Sequence, residues 1–193
     1  MRVSGSSRGF FCRLFCAVLF GLLPFSGYGD DFAAEVTQAE IMSQGEYYVL
    51  SADISYQLSK KAKDALQNGV PLFWDLQIKL FQHRDNFWDK TLVDSVIRYR
   101  LQYHALLNMY RVRNEGDGEV YNFSTLSAVL ELMSAVRDFR LIQKAQLDSQ
   151  KQYVCAVKVS FDRDALPLPL RPIAYIDPQW YLSSDWTLWP LKK

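Results

Sequence analysis

Alternation of apolar and polar residues is the feature that most limits what this chain can fold into. Apolar side chains take most alternate positions in four long stretches, which are residues 48–58, 70–80, 93–103 and 153–161. Because successive side chains of a β-strand point to opposite faces of a sheet, this period predicts strands with one buried and one solvated face. Four such strands favour an antiparallel sheet system, since antiparallel sheets commonly expose one face to water.

Two segments change to a helical period. Residues 59–68 are rich in good helix formers, with Ser59 placed to act as the N-cap and Gly69 just beyond the C-terminus. Residues 124–137 predict a more amphipathic helix that begins behind Ser124 as its cap. Its apolar side chains fall at helical spacing, at Leu126, Val129, Leu130, Met133 and Val136.

Weaker alternation at residues 36–42 and 139–145 predicts two more strands. A turn with two glycines at residues 115–118 predicts a hairpin between residues 110–113 and 120–123. Together these segments make about seven or eight strands and two short helices, so we predict a mainly β fold, an antiparallel β-sandwich. A β-barrel is the alternative.

Residues 1–29 have the order of a secretory signal peptide. Three arginines precede an apolar run at residues 14–25, and small residues follow before the first acidic side chain, Asp30. This order predicts cleavage and export to the periplasm, which leaves residues 30–193 as a single β-rich domain. The alternative is an inner-membrane anchor through residues 14–25, although that run has 12 residues and a membrane-spanning helix needs about 20.

Cysteine and charge content limit the function classes. Cys12 and Cys16 lie in the predicted signal peptide, so Cys155 is the one thiol of the exported chain and forms no internal disulfide. Three of the 22 Lys and Arg residues and none of the 21 Asp and Glu residues lie in residues 1–29. The exported chain is therefore slightly acidic, which argues against nucleic acid as a partner.

Several motifs together carry a family resemblance. They read LSADISYQLSKKAKDALQNGVPLFWDLQIKL, then HRDNFWD, LQYHALLNMYRVR and TLSAVLELM, and finally LPLPLR ahead of WYLSSDW. In this order they resemble a family of exported proteins from Gram-negative bacteria that is known as a domain of unknown function. The resemblance extends over residues 35–189. It implies a compartment and the extent of a domain, and it brings no activity with it.

None of the polar motifs completes a catalytic constellation. His83 begins a His-Arg-Asp-Asn sequence like that of protein kinases, but the predicted exported chain has neither their Gly-rich loop nor their Asp-Phe-Gly motif. The candidate zinc ligands His83, His104 and Cys155 fall on separate predicted strands. Asp162 and Asp164 could act as the acid and base of an envelope hydrolase, which is the third functional hypothesis. The first expectation is a protein without enzymatic activity, cofactor or metal.

An arginine set is the most distinctive polar feature. Arg98 and Arg100 share the solvated face of one predicted strand, and Arg111 and Arg113 share a face of the next. If these strands pair through the bend near residues 106–108, four guanidinium groups line one sheet surface, where they can bind phosphate or carboxylate groups. The alternative is a solvated strand face whose arginines pair with acidic residues across the strands.

Aromatic residues crowd the C-terminal end of the chain. Trp180, Trp186 and Trp189 could form an aromatic edge that contacts a sugar or a partner, or they could cover the end of the core. The preceding LPLPLR motif contains prolines that a central strand does not tolerate, so we predict an extended edge crossover. Its leucines would lean on the core, at Leu166, Leu168 and Leu170.

The absence of a catalytic motif beside the arginine-bearing strands leads to the first functional hypothesis. It is a non-enzymatic exported binding or interaction module that acts at the cell envelope. Its partner would be an envelope protein or an anionic envelope component, with peripheral membrane contact as one form of this binding. The alternative hypothesis is a carrier that encloses an apolar or lipid ligand.

Overall fold

Strands dominate the computed structural model, which describes residues 33–84 and 89–192. Nine β-strands and three α-helices lie in these residues. Their order is β1 Ala34–Gln44, β2 Tyr47–Tyr56, α1 Lys60–Gln67, β3 Leu72–Gln82, β4 Lys90–His104, β5 Met109–Asn114, β6 Val120–Phe123, α2 Leu126–Ser134, β7 Ala135–Gln143, β8 Tyr153–Phe161, α3 Arg171–Ile176 and β9 Thr187–Pro190. No helix in this part of the chain is both long and apolar enough to span a bilayer. The predicted signal peptide and residues 85–88 lie outside the described residues.

The strands form two antiparallel sheets. One sheet has six strands in the order β6-β5-β4-β3-β8-β9, and the other has three in the order β1-β2-β7. The longest ladder joins β3 to β4, from Leu72 opposite Leu101 to Gln82 opposite Lys90. Neither sheet closes on itself within the described ranges, so the sandwich prediction is confirmed and the barrel alternative is wrong.

The predicted alternation is confirmed on β2, β3 and β8, whereas on β4 Leu101 is the one fully buried side chain. On β3 the inward side chains are almost fully buried, at Leu72, Trp74, Leu76, Ile78 and Leu80. The described residues contain nine strands where about seven or eight were predicted. The additional strand is β9, which has four residues and ends on a proline, so it is too short to show a period.

Helix α1 begins and ends where its capping residues predict. The Ser59 hydroxyl accepts a hydrogen bond from the Ala62 amide at 3.1 Å. Gly69 follows the helix with a φ of +82°, a left-handed conformation that glycine adopts without a Cβ clash. Local chemistry is sufficient to define this helix because both of its ends are set by residues within one turn.

Helix α2 is shorter than predicted. Its N-cap is Thr125 rather than Ser124, and it ends at Ser134, three residues before the predicted end. Strand β7 begins at the next residue and pairs with β2. The prediction of a longer helix was wrong because this pairing buries Val136 as a strand residue, and burial in a sheet overrides helical spacing.

One hydrophobic core joins both sheets, the helices and the C-terminal segment. The ring of Trp74 on β3 lies edge-on to Tyr56 of β2, with centroids 6.0 Å apart, and 5.1 Å from the ring of Phe161 on β8. Its indole nitrogen donates a hydrogen bond to the Leu182 carbonyl at 3.2 Å. Trp74 therefore links the six-stranded sheet to the three-stranded sheet and to the segment before β9.

The LPLPLR motif forms turns and the approach to a helix instead of the predicted extended crossover. Leu166 is buried, but Leu168 is 74% exposed, and α3 begins at Arg171. The Asp162 carboxylate accepts hydrogen bonds from the two backbone amides at positions 164 and 165, at 3.0 and 3.1 Å. These bonds close a turn directly after β8, and the Leu170 amide donates to the Pro167 carbonyl at 2.9 Å inside the motif. The prediction of an extended chain was wrong because of these two turns.

Candidate functional site

Three arginines meet on the outer face of β4, β5 and β6. The strands β4 and β5 pair through a short 3-10 helix at Ala105–Leu107, and Arg100 lies opposite Arg113 while Gln102 lies opposite Arg111. These four residues share one face because they occupy alternate positions of two antiparallel strands. The predicted pairing of the two arginine-bearing strands therefore exists, and it brings three of the four arginines together.

A shallow pocket of about 130 Å³ opens between these side chains. Its lining consists of Arg100, Gln102, Arg111, Arg113 and Val120. Arg100 and Arg111 are half-buried, whereas Arg113 is exposed. The guanidinium groups thus line a concave surface instead of extending singly into solvent.

Uncharged polar neighbours orient the guanidinium groups of Arg100 and Arg111 and leave their charges unneutralised. Arg100 Nη2 donates to the Gln102 side-chain oxygen at 3.0 Å, and Arg111 Nε donates to the Asn122 side-chain oxygen at 2.9 Å. Arg113 Nε lies 3.7 Å from a Glu115 carboxylate oxygen. Within residues 33–84 and 89–192, neither Arg100 nor Arg111 forms an ion pair, so the positive charge of the pocket exceeds its negative charge.

Arg98 does not belong to this pocket. Its guanidinium donates to both carboxylate oxygens of Asp75 at 3.0 Å and to Asp162 at the end of β8. Burial opposes the charge of Arg98, but its contacts with the two carboxylates outweigh this and raise its pKa. Arg98 therefore fits the alternative interpretation of the sequence, in which arginines pair with acidic residues across the strands. The pocket contains the other three arginines.

The two carboxylates that bind Arg98, those of Asp75 and Asp162, are not equivalent. Burial raises the pKa of Asp75, and the nearby charge of Asp162 adds to the effect, so Arg98 does not reverse it. Burial acts in the same direction on Asp162, yet the hydrogen bonds from Arg98 and from the two turn amides lower the pKa of this carboxyl. The difference follows from the hydrogen bond of Arg98, which acts most strongly on Asp162, together with the two backbone amides that Asp162 accepts.

A family model matches residues 32–190 of the chain, and its description reads Domain of unknown function (DUF4390). The chain belongs to this family. No curated protein and no solved structure matches it significantly. The family match confirms the resemblance carried by the sequence motifs, and the DUF4390 region includes both sheets and the arginine pocket.

The three C-terminal tryptophans of this DUF4390 domain do not form one exposed edge. Trp180 is 3% exposed, and its ring stacks on an aromatic ring of β8 at a centroid distance of 6.0 Å. Trp189 is half-buried and packs against the core. Trp186 is 40% exposed, and the ammonium groups of Lys79 and Lys158 lie 5.5 and 5.8 Å from its ring centroid. Trp180 and Trp189 thus pack in the hydrophobic core, and Trp186 lies beneath two lysine ammonium groups at the surface.

The carboxylates considered for hydrolysis have structural contacts. Asp162 binds Arg98 and closes the turn after β8, and its lowered pKa keeps it ionised at neutral pH. Asp164 accepts a hydrogen bond from the Tyr175 hydroxyl at 2.8 Å. A general acid needs a raised pKa, so the hydrolase hypothesis gains no support from this geometry.

The candidate zinc ligands lie apart. In the part of the chain that the structure describes, no three His, Cys, Asp or Glu side chains converge. His83 Nδ1 lies 3.2 Å from a carboxylate oxygen of Asp89. Burial raises the pKa of the Cys155 thiol to about 12, so this thiol is protonated and a poor nucleophile at neutral pH.

Two surface features were not predicted from the sequence. A groove of about 460 Å³ lies between α1 and α3, and its lining includes Ala65, Asn68, Val70, Leu170, Ile173 and Trp180. The sequence offered no signal for it because α3 was not predicted. The second feature is the exposure of Leu106 and Leu107 in the turn between β4 and β5. Two leucines inside a predicted bend, where polar residues are usual, were the available signal.

Proposed function

We propose that this DUF4390 protein is a non-enzymatic exported binding module of the cell envelope, and that it binds an anionic group in the pocket of Arg100, Arg111 and Arg113. The observation that carries the proposal is the excess of positive charge in this pocket. Three guanidinium groups line it, and among the described residues the carboxylate that pairs with one of them is Glu115, 3.7 Å from Arg113.

The chemistry of the pocket fits a phosphate or carboxylate group. A guanidinium presents a planar fork of donors that matches the oxygens of such an anion. Gln102 and Asn122 hold two of the forks in place, which lowers the entropy lost on binding. The pocket volume of about 130 Å³ suits one anionic group of a larger molecule, since sites for whole drug-sized ligands span about 300–1,000 Å³.

The compartment limits the anions available. Residues 1–29 have the order of a signal peptide, and this supports export to the periplasm. The anionic groups of an envelope are lipid headgroups, cell-wall polymers and acidic surfaces of partner proteins. All three present the oxygen-rich anions that arginine clusters bind.

Calorimetric titration with inorganic pyrophosphate at low salt tests the pocket. We expect the triple variant Arg100→Gln, Arg111→Gln and Arg113→Gln to bind at least about tenfold more weakly than the wild type, because charge-assisted hydrogen bonds contribute about 1.5–3 kcal/mol each. The matched control removes three exposed lysines outside the pocket, with the substitutions Lys60→Gln, Lys63→Gln and Lys90→Gln. Equal weakening in both variants, or no pyrophosphate binding by the wild type, would contradict the proposal.

A carrier of an apolar ligand is the second candidate function. The groove between α1 and α3 supports it, because its volume of about 460 Å³ and the apolar part of its lining suit an acyl chain, although Lys61, Asp64 and Asn68 also line it. The apolar residues are Ala65, Val70, Leu170, Ile173 and Trp180. Native mass spectrometry of the protein purified from its own envelope tests this candidate. A bound lipid that is lost in the Ala65→Trp variant, which fills the groove, would support the carrier, and a bare mass would contradict it.

A further inference from the structure

We propose that the turn between β4 and β5 inserts into the surface of a bilayer that contains anionic phospholipid. Leu106 and Leu107, which we call the tip leucines, would enter the apolar boundary, and the arginine pocket would bind headgroup phosphates. This inference rests on the proposed function, because it assigns the anion of the pocket to a phospholipid headgroup.

The tip leucines are the first observation. Leu106 is 102% exposed and Leu107 is 62% exposed, so the fold buries little of either side chain. Turns of this kind normally carry polar residues, and two adjacent exposed leucines at a hairpin tip form an apolar projection. Insertion into a membrane interface removes such side chains from water.

The tip is held in one conformation. Residues Ala105–Leu107 form a 3-10 helix, and Asn108 follows it with a left-handed φ of 49°. The Tyr103 hydroxyl donates to the Asn108 side-chain oxygen at 2.7 Å, and the rings of Tyr103 and Tyr110 are 4.8 Å apart across the two strands. The leucines are thus presented by an ordered turn, which reduces the entropy lost when they insert.

The order of side chains along the hairpin matches the order of layers in a bilayer. The tip leucines come first, the pair Tyr103 and Tyr110 follows, and Arg111 comes next on the other face. Tyrosine rings favour the interface between acyl chains and headgroups, and arginine binds the phosphates beyond it. Arg111 is two residues from the last strand pair, or about 7 Å at the usual rise, which is the approximate thickness of the headgroup layer.

The distribution of negative charge agrees with this orientation. Glu115, Asp117 and Glu119 lie in and beside the turn between β5 and β6, at the opposite end of β5 from the tip leucines. These carboxylates would face away from an anionic surface when the tip inserts. The hairpin therefore has an apolar end with Arg111 close to it and an acidic end beyond Arg113, and an anionic bilayer attracts the first end and repels the second.

Tryptophan fluorescence with brominated lipids tests the insertion in the full chain. The variant Leu106→Trp places an additional indole at the tip, and its signal is the difference from the wild type. We expect vesicles of brominated phosphatidylglycerol to quench roughly half of that added emission, because interfacial insertion buries side chains about 5–10 Å deep. The readout is local to position 106, so an apolar leader elsewhere in the chain does not produce it.

The variant Leu188→Trp is the matched control. Leu188 is also exposed, at 61%, but it lies on β9, far from the tip. It pairs with Ala156 of β8, which pairs with Lys79 of β3, and Lys79 pairs with Asp94 of β4. Asp94 is ten residues before His104, where β4 ends, so Leu188 lies roughly 33 Å from the tip along the strand direction. Its added emission should stay unquenched. Equal quenching at positions 106 and 188, or none at position 106, would overturn the inference.

The lipid dependence separates this inference from the proposed function. Quenching at position 106 should be stronger with phosphatidylglycerol than with brominated phosphatidylcholine, and the three pocket substitutions by Gln should remove that difference. Pyrophosphate binding without quenching would overturn the membrane inference and leave the pocket function standing. If both lipids quenched equally and the protein did not bind pyrophosphate, two assignments would be overturned. These are the binding of an anion in the arginine pocket and the identification of that anion as a phospholipid headgroup.

Discussion

Neighbouring arginines on one strand face have different roles because their surroundings differ. Arg98 lies opposite Asp75 and within hydrogen-bond distance of Asp162, whereas Arg100 lies opposite Phe73 and beside Gln102. Arg98 is neutralised within the fold, and Arg100 forms no ion pair with the described residues. The difference comes from strand register and not from the arginines themselves.

The substitution Asp162→Asn should lower the free energy of unfolding by about 1–2 kcal/mol at pH 7, because it removes the charge that Arg98 binds. The folded-state pKa of Asp162 is lowered, so this stabilisation is fully present above its unfolded pKa and is lost as the pH falls through the folded pKa. The gap between variant and wild type should therefore close below about pH 4. Urea unfolding at several pH values measures it.

The substitution Asp75→Asn is the control for this prediction. The pKa of Asp75 is raised in the folded protein, so its ionised form is disfavoured there, and the associated stability decreases as the pH rises through that range. At pH 7 the variant should be within about 0.5 kcal/mol of the wild type, or more stable. The assigned roles of the two carboxylates would be refuted if Asp75→Asn destabilised the protein as much as Asp162→Asn. They would also be refuted if the stability difference between Asp162→Asn and the wild type did not change with pH.

At the scale of elements, short-range chemistry decides α1 and long-range pairing decides the end of α2. Ser59 is 3% exposed, and its hydroxyl bonds the Ala62 amide inside the same turn. The junction of α2 and β7 depends instead on β2, about 80 residues earlier in the chain, which pairs with β7. The sequence therefore predicts α1 correctly and extends α2 too far.

The substitution Ser59→Ala should destabilise the protein by about 1 kcal/mol, because the Ala62 amide loses its capping partner in a buried position. Thermal unfolding should show a decrease of about 2–4 °C in Tm. Thr125→Ala, which removes the exposed and longer cap bond of α2, is the comparison and should cost less. An equal or larger effect at Thr125 would show that burial of the cap does not determine its contribution.

At the scale of the whole molecule, Trp74 joins parts of the chain that are far apart in sequence. It contacts an aromatic ring on each sheet, and its indole nitrogen reaches a carbonyl 108 residues later. The C-terminal segment is held against the core by this bond together with the burial of Trp180 and Leu182. The fold therefore depends on contacts that form only when both sheets are assembled.

The substitution Trp74→Phe should lower the free energy of unfolding by about 2–3 kcal/mol, since it leaves a cavity and an unsatisfied Leu182 carbonyl. Trp186→Phe is the matched control, because Trp186 is 40% exposed, and its cost should stay within about 0.5 kcal/mol. Urea unfolding with unchanged m-values measures both. Similar costs for the two substitutions would contradict the assignment of Trp74 to the assembled core.

The sequence by itself determined the properties that depend on near neighbours: which strand faces are buried, where α1 is capped, and that β5 and β6 form a hairpin. It also placed Arg100, Arg111 and Arg113 on alternating positions of two adjacent strands. Only the tertiary structure decided that Arg98 is neutralised, since its carboxylate partners are 23 and 64 residues away in the chain. Strand order and register bring distant charges together, and no local pattern encodes that order.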